Sequence, residues 1–243
     1  MQIKSTLPAA HLVRQYFVFV FTVIFLLTMT RSIYAMWKFV ELEDTGAFVA
    51  LFVQGLRFDL ALVGFICLVP VVVGSLLSMI GFTRRLAKFV ISLFLFVGLL
   101  VILLLEFVTP WFVHTQGIRP DLPSLLAIES PFSVIQSAVA EHTVPAAIGA
   151  VFCLLVLLAF WFRMELSRFL RYRTSVLGSM FTALVCGALC VLAIWSTPDF
   201  RKPPFGPGDA LISTNATIND LAMNTTYKTM YSILLPYFNR LQP

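Results

Sequence analysis

Five stretches of the chain are almost continuously apolar: from about Tyr16 to Trp37, Leu60 to Ile80, Phe89 to Thr109, Val144 to Phe162 and Thr174 to Ser196. About 20 apolar residues in helical form cross the ~30 Å hydrocarbon core of a bilayer, and a helix satisfies its backbone groups internally there. The pattern therefore predicts an all-α membrane protein, a five-helix transmembrane bundle over residues 1–196. The segment from Thr45 to Arg57 is also apolar, but together with the run to Ile80 it is too long for one upright crossing. It is expected to form a juxtamembrane interfacial helix leading into the second span.

Two connecting regions break the pattern. Prolines at 110, 120, 123, 131 and 145 punctuate the connection between the third and fourth spans, where a helical pattern holds only from Ser133 to Glu141. Short helices and turns on the membrane surface are expected there. After the fifth span the chain leaves through a proline-rich stretch, Thr197 to Gly208. It continues from Ala210 to Phe238 with Leu211, Ile212, Ile218, Leu221 and Met223 scattered among Asn and Thr. Residues 197–243 thus read as an extracytoplasmic connector of short amphipathic helices at the interface.

Composition agrees: of 243 residues 59% are hydrophobic and only 12% charged, whereas soluble domains devote roughly a quarter to Asp, Glu, Lys and Arg. The formal charge of +5 does not indicate a nucleic-acid partner, because the basic residues sit between spans. Lys4, Arg14, Arg84, Arg85, Lys88, Arg163, Arg168, Arg171 and Arg173 fall on one side, with Glu165 the one acidic residue beside them. The positive-inside rule puts the N-terminus and both short basic loops in the cytoplasm, and an odd number of spans puts the C-terminus outside. A multi-pass protein of the bacterial plasma (inner) membrane is expected. Ile33-Tyr34-Ala35 loosely resembles a signal-peptide cleavage site, but bulky Tyr34 and nearby Arg31 suit a retained anchor. Arg31, close to Trp37, is expected to snorkel to the interface.

Chemistry-bearing residues are few. Cys67, Cys153, Cys186 and Cys190 all lie in apolar stretches without metal-ligand spacing, and His11, His114 and His142 lie outside the spans. No HExxH, P-loop or Gly-x-Ser-x-Gly motif occurs. The sequons at Asn215 and Asn224 are assigned no role. Gly178, Thr182, Cys186 and Cys190, flanked by Ser179, Ala183 and Gly187, form a small-residue stripe suited to close helix packing.

Ionisable residues within or beside spans are costly and ask for a partner or a purpose. Arg57, Asp59, Glu106 and Arg119 are all predicted near the outer interface. One reading makes Arg57, Asp59 and Glu106 an ion-pair cluster fixing the second span against the third. The other is a lipid-headgroup site, with Arg57 or Arg119 binding a phosphate and Asp59 or Glu106 orienting it. Ion transport is disfavoured because neither carboxylate lies near the midplane.

Three stretches carry a family resemblance: Gly55-Leu-Arg57-Phe-Asp59; Glu106-Phe-Val-Thr-Pro-Trp-Phe with Gly117-Ile-Arg119-Pro-Asp121; and Ser213 to Tyr227 after the last span. In order and spacing they resemble the N-terminal membrane domain of lipoteichoic acid synthase-like phosphoglycerol transferases, of the alkaline phosphatase and sulfatase superfamily. The resemblance spans nearly the whole chain. It implies a following extracytoplasmic α/β domain, with a threonine nucleophile and a divalent metal, usually manganese, that takes phosphoglycerol from phosphatidylglycerol. None of its metal ligands is matched here, so no cofactor is expected in this chain, which reads as a fragment or truncated relative lacking that domain. The function implied is membrane anchor and lipid-presenting domain of a headgroup transferase, with phosphatidylglycerol and the catalytic domain as partners. The alternatives are a standalone scaffold docking an extracytoplasmic partner and, behind it, a small transporter subunit.

Overall fold

Long apolar helices dominate the computed structural model, which describes residues 8–80, 82–127, 136, 140, 143–163, 176–196 and 205–241; among these every regular element is helical. In chain order they are α1 (Pro8–Trp37), α2 (Phe39–Thr45), α3 (Phe48–Ser78), α4 (Arg84–Gln116), α5 (Leu122–Leu126), α6 (Thr143–Arg163) and α7 (Val176–Trp195). A 3-10 turn (Pro207–Ala210), α8 (Ala216–Ala222) and α9 (Thr225–Leu241) follow. Lys4, most of the second basic loop, most of Ser133 to Glu141 and the proline-rich exit at 197–204 lie outside the described residues.

Four helical stretches are long and apolar enough to cross a membrane: Val13–Trp37, Phe48–Ser78, Arg84–Gln116 and Val176–Trp195. The chain is a membrane protein. In α6 the apolar stretch, Ala146–Phe162, is shorter. Along α1, Phe17, Phe21, Phe25, Met29 and Ile33 recur at four-residue spacing on an exposed face, while Phe19, Val23, Leu26 and Leu27 are buried behind them. One stripe meets lipid and the opposite one meets protein.

Two helices outrun the boundaries expected from hydropathy. The apolar segment before the second span is not a separate helix: Phe48–Ser78 is one helix of 31 residues, about 46 Å long at 1.5 Å per residue. The distinct short helix is α2, closed by Gly46 in the left-handed conformation at φ 62°. Likewise α4 does not stop at Thr109 but runs through Pro110 to Gln116. Proline removes one backbone donor, a loss a packed helix can absorb. Pro70 shows the same in α3, and its carbonyl accepts a 2.7 Å hydrogen bond from the Tyr16 hydroxyl.

The centre of the bundle is α3, packed by α1, α4 and α7. Contact with α7 is close because small residues face each other: a Cβ at Gly64 would lie 2.7 Å from the Cys190 carbonyl oxygen, and the Ser78 and Ser179 hydroxyls meet at 3.1 Å. The small-residue stripe of α7 thus serves packing, as van der Waals contact between helices in lipid requires.

The main correction concerns the segment after α7. Expected as a surface connector, it packs into one end of the bundle: Ile218, Leu221, Ala222, Met223, Asn224, Thr225 and Tyr227 are all buried. Phe205 and Tyr227 stack around Phe58 of α3, with ring centroids 4.4 and 5.4 Å away. We call this the tail end, where α1 finishes, α3 begins and α4 finishes; the turn from Ser78 to Arg84 marks the loop end.

Candidate functional site

At the tail end α1 and α3 are joined by a bidentate ion pair. Arg31 donates to the two Asp59 oxygens at 2.9 and 2.8 Å, with the side chains 1% and 0% exposed. Gly55, one turn before Asp59, makes the room: a Cβ there would come within 2.2 Å of the Arg31 guanidinium. Arg31 therefore does not snorkel; it is buried against the bundle centre.

A second pair lies beside it. Glu106 of α4 accepts from Arg119 at 3.1 and 3.2 Å. The chain turns back at Gly117, with φ 73°, and this brings Arg119 under the helix it has just left. The Arg119 guanidinium also lies over the Tyr34 ring, 4.8 Å from its centroid. Burial alone would push the Arg119 pKa down, but the Glu106 carboxylate beside it and Asp220 outweigh this and raise it.

Neither pair links α3 to α4 directly, so the expected cluster of Arg57, Asp59 and Glu106 does not form. Consecutive residues of the tail make the connection instead. The Asn224 side-chain amide donates to Asp59 at 3.0 Å, and the Thr225 backbone N–H donates to Glu106 at 2.9 Å. The Thr225 hydroxyl receives Arg119 at 3.3 Å and meets the Thr109 hydroxyl at 2.6 Å. Asn224 and Thr225 stand at the start of α9, where backbone N–H groups have no partner within the helix, and Asn224 also accepts from the Tyr227 N–H at 2.7 Å. The α9 N-terminus thus meets the buried Glu106 carboxylate with a backbone N–H and Asp59 with the Asn224 side chain.

Around this pair of pairs lies a third. Lys228 donates to Asp220 at 2.6 Å and to the Arg119 carbonyl at 2.7 Å, and Asp220 also accepts the Arg119 backbone N–H. The turn ahead is built by Asn219, whose side-chain oxygen accepts from Ile212 and Ser213 N–H at 2.9 and 2.8 Å. Asn215 caps α8. Asp121 caps α5 in a reciprocal box with Ser124. Partial burial pushes the Asp121 carboxyl up, but the Ser124 hydrogen bonds and the positive Lys228 outweigh it, leaving its pKa below the ordinary carboxylate value.

Arg57 stands apart. It reaches the Ser196 hydroxyl at 3.1 Å, the Ser196 carbonyl at 3.3 Å and the Gln54 side-chain oxygen at 2.8 Å, and it stacks over Phe205 at 4.3 Å. Of the four headgroup candidates, Asp59, Glu106 and Arg119 share one buried layer, and Arg57 lies at its edge. Thr109, Asp220, Asn224 and Thr225 lie inside the stretches singled out in the sequence but are assigned no role in the site there, and Lys228 lies outside them. The apolar spacing of Ile218, Leu221 and Ala222 fits this buried face as well as it fits the interfacial amphipathic helix expected there.

The carboxylates of the layer are fully engaged, while the Nε atoms of Arg31 and Arg119 are buried without a hydrogen-bond partner among the described residues. Both oxygens of Asp59 and of Glu106 are hydrogen-bonded, as a buried charge requires if its desolvation is to be offset. Among the described residues no group of three or more His, Cys, Asp or Glu side chains could hold a metal ion. The manganese implied by the resemblance has no donor set among them. No protein-family profile matches the chain, and no solved structure matches it.

Proposed function

We propose that this chain is the membrane anchor and lipid-presenting domain of a phosphoglycerol or related headgroup transferase at the outer face of the bacterial inner membrane. In this reading α6 is a fifth span, the N-terminus is cytoplasmic and the tail end faces outward. Catalysis falls to an extracytoplasmic domain outside residues 1–243, and phosphatidylglycerol is the lipid served.

One observation carries the reading. The three stretches behind the resemblance, 55–59, 106–121 and 213–227, are far apart in sequence, yet they meet in a single polar layer at one end of the bundle. Their polar residues contact one another, as parts of a platform would. A tail fastened to that platform fixes the height and orientation of whatever it carries. An active site held close to the leaflet meets headgroups at high effective concentration without needing tight binding. The same surface would serve a scaffold that docks a separate enzyme.

Two experiments test it. A single thiol at Thr214, exposed beside α8, should react with a membrane-impermeant maleimide from outside intact cells; reaction from the cytosolic side alone would overturn the orientation. Disruption of the gene should lower the phosphoglycerol content of envelope polymers or glycans. If that content does not change, the transferase assignment fails and the scaffold remains.

A further inference from the structure

The three arginines at the tail end are treated differently. Arg31 and Arg119 are each 1% exposed, and each faces a carboxylate through paired contacts. Arg57 is only partly buried and, among the described residues, its hydrogen bonds go to neutral acceptors: two from Ser196 and one from Gln54. Asp209, whose carbonyl is held by Gln54, turns a carboxylate oxygen to the Gly206 N–H at 2.8 Å rather than to Arg57. Among the described residues three of the five N–H groups of this guanidinium are engaged, which leaves two.

The position of these donors indicates what they meet. Val53 and Leu60, four residues before and three after Arg57 on the same face of α3, are exposed, as is Leu56. Arg57 therefore borders the stripe that faces lipid, and its contacts with Gln54 and Ser196 draw the guanidinium toward the tail end, as a long side chain on a helix leans toward the N-terminus. An uncompensated cation at the edge of hydrocarbon is expensive. A phosphate diester in the headgroup layer matches it in charge and in planar two-donor geometry. Ser196, just after α7, is in the left-handed region, at φ 51°, where glycine is the usual residue and serine is strained. Its hydroxyl accepts from Arg57 and keeps its own proton to donate.

We propose that Arg57, with Ser196, binds the phosphate of an anionic phospholipid from the leaflet at the tail end, and that Arg119, Asp59 and Glu106 do not touch it. This rests on the lipid-presenting reading and assigns its headgroup contact to one arginine.

The test uses the full chain purified in detergent, with thermal unfolding followed against added dioleoyl phosphatidylglycerol, dioleoyl phosphatidylcholine or inorganic phosphate. Phosphatidylglycerol should raise the melting temperature saturably and phosphatidylcholine should not. Arg57→Gln should weaken the apparent affinity about tenfold or more, the loss of a charge-assisted contact, and Ser196→Ala by less. Equal shifts with the two lipids, or an undiminished response in Arg57→Gln, overturn the proposal. A response to inorganic phosphate matching that to phosphatidylglycerol overturns the lipid and leaves a free-phosphate site. If Arg57→Gln does not fold, Arg57→Lys, which keeps the charge without the fork, must show weakened binding for the proposal to stand. Binding in detergent does not depend on orientation, so failure here with correct Thr214 labelling removes the headgroup contact and not the anchor.

Discussion

The two ends of the bundle are fastened by different means. At the loop end, among the described residues, no buried ion pair joins the helices: Ser78 meets Ser179, Tyr16 donates to the Pro70 carbonyl, Thr83 donates to the Leu77 carbonyl at 2.5 Å, and Arg84 reaches a neutral acceptor, the Ser78 carbonyl, at 3.5 Å. At the tail end formal charges do the same work, Arg31 with Asp59 and Arg119 with Glu106, and a segment more than a hundred residues away in sequence completes both pairs. Ser78 also donates to the Ser75 carbonyl and Thr83 to the Ile80 carbonyl, and a neutral hydrogen bond between helices can be lost at small cost. Half of a buried ion pair cannot, because the remaining charge has nowhere to go. The loop end is therefore tolerant, and the tail end is all-or-none.

The sharpest way to break this contrast is Asp59→Ala. It leaves Arg31 buried without a counter-charge and should cost about 3–5 kcal/mol, the range for removing one member of a buried pair. Reversible denaturation in detergent would register it, or loss of folded protein altogether. A cost under about 1 kcal/mol would mean that the pair is not buried in the membrane-embedded protein, and the contrast would vanish.

Asn224→Ala asks whether the tail is part of this unit. The substitution removes a donor to a charged acceptor and should cost about 1.5–3 kcal/mol. It should also raise protease sensitivity from residue 205 onward. A tail that is only a surface connector would show neither effect.

The connector expectation shows how far sequence reasoning reaches. The runs in α1, α3, α4 and α7 were visible because lipid selects for apolar surface, and that selection leaves a continuous signal. The ends of α3 and α4 were not visible, because tertiary packing carries a helix through Pro110 and extends another back to Phe48. Arg57, Asp59, Glu106 and Arg119 stood out as charges in the wrong place, but their partners did not. Arg31 resembled an interfacial anchor, and Asn224 resembled a chance sequon. A polar residue that is buried against other polar residues has the same composition as one that is solvated. The choice between the two lies in pairings such as Asn224 with Asp59, separated by 165 positions, and periodicity says nothing about those.

At the loop end Ser78→Ala supplies the control. Its hydroxyl bridges to Ser179 and to the Ser75 carbonyl at 2.7 Å, and interhelical polar contacts of this kind average about 0.6 kcal/mol in membranes. Unfolding measured beside Asp59→Ala should show the large difference directly. If the two costs were equal, charge would not be what distinguishes the ends.

The smallest effect, on Asp121, refines the picture at the margin of the tail end. Its carboxyl is partly exposed, and hydrogen bonds from Ser124 together with the positive Lys228 hold its pKa below the ordinary carboxylate value despite partial burial. A depressed pKa in the folded state means that its contribution is complete above the unfolded value, near about 3.9, and is lost as the pH falls through the lower folded one. The α5 cap should therefore survive mild acid and loosen only below that value. Hydrogen exchange at the Ser124 amide, which donates to Asp121 at 2.9 Å, should quicken there beyond its intrinsic pH dependence. In Asp121→Asn that extra pH dependence should disappear. A titration midpoint at or above the ordinary carboxylate value would show that burial outweighs the Ser124 and Lys228 contacts, and that the order imposed by the tail stops at Arg119.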